Sequence, residues 1–205
     1  MNMMLFVGVL AGWWAGLAAT KARVPLPFWS GPEVLPAGMV AIAATFTIPT
    51  LPGGNVGVVA AGFSWSIILG VVAIACAWDV RLQIIPNEIS ALVWPIALAP
   101  ALLLPESRWA SLLVLAASSA VMGVLLFAGI GGGDALLLPP VAFASFLMMA
   151  PNADPGLFAL AFFTVVFASS LALVVSRKGV VPLAPGILTG AVLVPAAAHL
   201  VVSLG

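Results

Sequence analysis

The chain has 205 residues, of which 64% are hydrophobic and 6% charged, whereas soluble domains run at about 45–50% apolar and about 25% charged. Six basic residues balance six acidic ones, leaving no basic excess for nucleic acid and no acidic excess to steer a cationic partner. One cysteine and one histidine exclude a disulfide framework and any multi-cysteine or His-cluster metal site, so no metal and no cofactor are expected, and the lipid bilayer is the expected surroundings.

A spanning helix needs about 20 mostly apolar residues. The apolar runs predict an all-α, polytopic helical bundle with about eight transmembrane helices, at 3–20, 34–51, 57–78, 89–104, 109–129, 134–150, 157–175 and 184–203. The first run has no basic residue ahead of it, and Lys21 and Arg23 follow it; it is expected to be a retained span rather than a signal peptide. The second is short, bounded by Pro36, Pro49 and Pro52. Pro95 in the fourth and Pro139–Pro140 in the sixth predict kinks. A β-barrel is disfavoured, because its strands alternate apolar and polar residues and these runs do not.

Orientation follows from the basic residues. With the N-terminus outside, the inside connections are 21–33, 79–88, 130–133 and 176–181. They hold Lys21, Arg23, Arg81, Arg177 and Lys178, and only Arg108, beside Glu106, falls outside. The positive-inside rule then predicts both termini outside. The tryptophans include several at span ends, where indole rings anchor at the interface.

Among the acids, Glu33, Glu106 and Asp154 sit in polar connections. Asp79 and Asp134 do not. Asp79 ends one apolar run, and Asp134 begins another directly after Gly131, Gly132 and Gly133. Both fall at the inner edge of the membrane in this topology, where a charge is costly unless it is paired or functional. As structural residues, Asp79 would pair with Arg81 and Asp134 would cap its helix. The surroundings favour chemistry: Ile85, Pro86 and Asn87 break the chain after Asp79, and the glycines before Asp134 permit close approach of a peptide or a neighbouring helix.

An aspartate followed by Ile85–Pro86–Asn87, then GxGD at Gly131 to Asp134, then VPLAPGILTG at 181–190 resembles the type IV prepilin peptidases, a family of membrane aspartyl proteases. The resemblance covers about residues 60–205. It implies catalytic aspartates at Asp79 and Asp134, no cofactor, and cleavage of short, basic leader peptides from prepilins or pseudopilins. The site would lie on the cytoplasmic side of the bacterial inner membrane. Gly131, Gly133, Pro86, Asn87, Glu88, Pro182 and Pro185 would shape the site or meet substrate. The chain would then divide into N-terminal helices and connections at 1–56 and a six-helix peptidase core at 57–205. Ala135 and Leu136 stand where family members commonly carry a basic residue. With Cys76 alone, the zinc-bound methyltransferase element of larger members has no ligands here, so the closer resemblance is to the short peptidases of Flp-type (tight-adherence) pilus systems.

Two coupled carboxyls do not readily both ionise, so one can act as base while the other holds a proton. From helix ends alone, Asp134 at a helix N-terminus is the expected base and Asp79 at a helix C-terminus the expected acid. Asn87 is expected to cap the following span, Glu88 either to receive the basic leader or to be solvated, Cys76 to be a small core residue, and His199 to be interfacial. Three other readings compete. A proton-coupled transporter needs acids near the midplane, and the span interiors carry none. The presenilin type pairs GxGD with Tyr-Asp, whereas Trp78 precedes Asp79 and the chain has no tyrosine. A catalytically inactive membrane scaffold is the third.

Overall fold

The structure, a computed structural model, describes residues 2–20, 41, 56–82, 84–103, 108–129, 132–149, 153–176 and 183–204. Among them lie seven α-helices and no strand. These are α1 (Asn2–Thr20), α2 (Val56–Leu82), α3 (Asn87–Leu98), α4 (Arg108–Phe127), α5 (Gly132–Leu147), α6 (Pro155–Ser176) and α7 (Ala184–Leu204), with a 3-10 turn at Ala99–Leu102 continuing α3. Four helices are long and apolar enough to cross a membrane, over Val56–Val80, Trp109–Phe127, Pro155–Ala172 and Ala184–Val201. Three shorter apolar stretches, Met3–Ala18, Asn87–Leu102 and Gly132–Leu147, accompany them. The count of eight is therefore not reached among the described residues. The expected span at 34–51 lies outside them except for Ala41, which is helical and buried.

The helix α2 is the axis of the bundle. It is apolar around its whole circumference, which suits a helix enclosed by others, and 72% of its spanning stretch is buried, against 22% for α4 and for α6. It packs against α1 on one side and α5 and α7 on another, while α4 and α6 close the outside. The exposed apolar side chains of the outer helices, such as Trp109, Leu113, Phe127, Leu160 and Leu171, form a surface suited to lipid rather than water.

Lipid tails are as apolar as these side chains, so burial of apolar surface does not drive the helices together; close packing and hydrogen bonds do. The α1–α2 seam shows how. Gly8, Gly12 and Gly16 recur every fourth residue along α1, and Gly70 of α2 faces back at them. A Cβ on Gly12 would collide with the Ile67 carbonyl, and one on Gly70 with the backbone of Val9 and Trp13. The two backbones are in contact, and no side chain fits between them. Gly12→Leu is expected to destabilise the protein by about 1–3 kcal/mol through overpacking, read as a lowered Tm of the detergent-solubilised chain. An unchanged Tm would mean that α1 is not held along this seam.

Pro95 lies within α3, which continues to Leu98 and passes into the 3-10 turn that contains Pro100. The Ser64 hydroxyl of α2 donates to the Ile96 carbonyl next to Pro95. Pro139 and Pro140 lie within α5, and both are buried in the bundle. Phe146, at the far end of α5, meets Phe158 of α6 edge-on at 5.2 Å, and Phe158 stacks on Phe162 at 5.6 Å.

Candidate active site

The helix α2 runs past its expected end at residue 78 and continues to Leu82. Asp79 is therefore not a terminal residue but lies inside the helix, and it is 1% exposed. The chain turns at Ile84–Pro86 and starts α3. Asn87 does not cap that helix. Pro86 occupies the capping position with φ −60° and ψ 134°, and no side chain caps α3. Its ring fixes φ at a value suited to the turn, which places Asn87 one residue inside the helix, where its side chain cannot serve the cap. The Ile89 N–H closes the first turn onto the Pro86 carbonyl at 3.0 Å. Asn87 and Glu88 are exposed on this turn, and Pro86 is buried.

Asp134 lies in the first turn of α5, as expected. Gly133 just before it is buried, and a Cβ there would strike the carbonyl and side chain of Ile85. The Ser90 hydroxyl of α3 donates to the Gly133 carbonyl at 2.9 Å in a buried hydrogen bond. The start of α3 and the start of α5 are thus clamped together by one backbone contact and one side-chain bond. Ser90→Ala leaves the buried carbonyl without that donor, at an expected cost of about 1–3 kcal/mol. The measurement is the Tm of the variant in detergent, and an unshifted Tm would show that the hydroxyl carries no weight.

The third element comes from the far end of the chain. The Ala184 N–H, at the first residue of α7, donates to Asp79 Oδ2 at 2.9 Å across 105 residues of sequence. Leu183 and Ala184 are buried, and Pro185 is partly buried in the first turn of α7. Gly131 and Pro182, also expected to shape the site, lie outside the described residues. Asp134 follows directly on Gly133, which packs against Ile85 in the turn after Asp79, and Cys76 is one helical turn before Asp79 and buried. Asp134 is partly buried, and its Oδ1 has no hydrogen-bond partner. Among the described residues no group of three His, Cys, Asp or Glu side chains is arranged to hold a metal ion.

The structure therefore brings the two aspartates together with Ile85–Pro86, Gly133 and the first turn of α7. Sequence reasoning did not single out Ser90 or Ala184. Ser90 carries a faint signal, being a lone hydroxyl at the start of an apolar run. Ala184 carries none, since it acts through its backbone. His199 and Asp154 are placed elsewhere: His199 donates from Nε2 to the Met148 carbonyl at 3.1 Å, and Asp154 Oδ1 accepts the Leu157 N–H at 2.7 Å and so caps α6. Comparison with protein-family models, with curated proteins and with solved structures finds no match to this chain.

Proposed function

We propose that this chain is a membrane aspartyl endopeptidase of the type IV prepilin peptidase kind. It would span the bacterial inner membrane about eight times, with a six-helix core at 57–205, and remove the short basic leader of Flp-like prepilins at the cytoplasmic face. The observation that carries the reading is that two acids, 55 positions apart in sequence, are held at the same end of a bundle of apolar helices by the contact of Gly133 with Ile85 and the hydrogen bond from Ala184 to Asp79. All three pieces of sequence that resemble the family contribute to this one place.

In such a site one carboxylate takes a proton from water as the oxygen attacks the scissile carbonyl. The other protonates the carbonyl oxygen; the tetrahedral intermediate then collapses as the first carboxyl gives its proton to the leaving amine and the second recovers one from the hydroxyl. The hydrogen bonding favours the roles in the reverse of the order expected from helix ends alone. Asp79 receives an N–H from the N-terminus of α7, which complements the base. Asp134 Oδ1 has no donor directed at it, which suits the acid. The exposed Glu88 beside Pro86 supplies a negative charge near the site and is a candidate contact for a basic leader.

The test is co-expression with an Flp-type prepilin, with leader removal read by intact mass. Loss of the leader with the native chain, abolished by Asp79→Ala and by Asp134→Ala separately, is the expected outcome. An intact prepilin beside the native chain rejects the reading for that substrate, and proton-linked solute uptake by the reconstituted protein would replace it with transport.

A further inference from the structure

A concave site lies at the other end of the bundle from the aspartates. A cavity of about 800 Å³ opens between α6 and α7, within the about 300–1,000 Å³ typical of small-molecule sites. It runs from Asp154 at the start of α6 to Val165, about 16 Å along the helix axis. Ala161 on one wall and Ala197 and Ala198 on the other leave the space that larger side chains would fill. His199 is fifteen positions beyond Ala184 on α7, about 22 Å from the carboxylate site. The cavity is therefore separate from that site, and nothing in it depends on the peptidase reading.

Its chemistry is that of an amphiphile site. The walls are apolar, and among the described lining residues the ionisable groups are Asp154 and His199, with no lysine or arginine. Capping α6 uses one acceptor position of the Asp154 carboxylate, which has about four. With Nε2 donating to the Met148 carbonyl, the tautomer that carries its proton there leaves Nδ1 as an acceptor. The exposed Asp154 carboxylate at the start of α6, with the His199 acceptor lining the same apolar furrow, complements a cation that carries N–H donors. A packed helix is about 10–12 Å across, too wide to be enclosed by this volume over this length, whereas a single hydrocarbon chain fits.

We propose that the cavity holds one acyl chain of a bilayer phospholipid whose headgroup bears a primary ammonium, with that ammonium donating to Asp154 and His199. A quaternary ammonium has no N–H to give, and an anionic headgroup meets the Asp154 charge, so selectivity among headgroups is the signature.

The experiment is native mass spectrometry of the full chain in detergent micelles equilibrated with equal amounts of dioleoyl phosphatidylethanolamine, phosphatidylcholine and phosphatidylglycerol. The native chain should carry the ethanolamine lipid in about tenfold excess over the choline lipid, the ratio that one charge-assisted hydrogen bond supplies. Asp154→Asn keeps an oxygen to cap α6 and should remove that preference. Ala161→Phe fills the furrow and should lower one-lipid adducts of all three kinds. Equal adducts of the ethanolamine and choline lipids on the native chain would overturn the proposal. So would a preference that survives Asp154→Asn, or unchanged ethanolamine-lipid occupancy in an Ala161→Phe variant whose Tm is native.

Discussion

Replacing either aspartate by its amide, Asp79→Asn or Asp134→Asn, is expected to lower the rate of leader cleavage by about 10²–10⁴-fold, the usual contribution of a general acid or base. Asparagine matches aspartate in shape and keeps an oxygen to accept the Ala184 N–H at position 79. The fold should therefore survive, and the Tm of each variant should stay near the native value. The double variant provides the sharper measurement. Groups that act as a unit are strongly non-additive, so removing both should cost little more than removing one. If each acid contributed independently, the two losses would multiply. A product of the single effects in single-turnover cleavage of a purified prepilin would show that Asp79 and Asp134 do not work on the same bond.

The second large effect belongs to a residue with no side chain. Gly133→Val should reduce cleavage by about 10²-fold or more, because a misplacement of about 1 Å at a reacting group costs that much. The added carbon atoms have to displace the Ile85 backbone, moving the first turn of α5, and Asp134 with it, away from the turn that follows Asp79. Overpacking adds a stability loss of about 1–3 kcal/mol, so the comparison that matters is with Gly12→Leu. That variant has the same kind of collision in the α1–α2 seam but at a distance from the carboxylates. Cleavage should fall steeply in Gly133→Val and much less in Gly12→Leu at matched Tm. Equal loss in both would mean that Gly133 matters only to general packing.

The two aspartates and the glycine before Asp134 were legible in the sequence because charge is so scarce in this chain that each buried acid stands out. Seven of the apolar runs matched helices to within a few residues for a related reason: runs of that length in this composition have no other stable form in lipid. The eighth, 34–51, lies outside the described residues. What could not be read was anything carried by the backbone. The end of α2 was placed too early because Asp79 resembles a terminus, yet the helix continues three residues beyond it to Leu82. The assumed cap at Asn87 gave way to Pro86. The N–H that reaches Asp79 comes from a third helix, which neither of the helices that own the aspartates could reveal. The glycine seam of α1 was available in the spacing of Gly8, Gly12 and Gly16, and spacing alone could not tell which helix would lie against it.

The short helix α3 has a consequence for the bilayer itself. With its 3-10 turn it reaches about 26 Å, against a hydrocarbon thickness of about 30 Å, and unlike the enclosed α5 it keeps several side chains exposed. It begins at the turn that follows Asp79. A membrane meets such a mismatch by thinning around the protein, and thinning here draws the water boundary down towards Asp79 and Asp134. The proposed cleavage would consume water, so the depth of that dimple would become part of its supply line. Turnover in vesicles should then fall as lipid acyl chains lengthen, making membrane thickness a control on the rate.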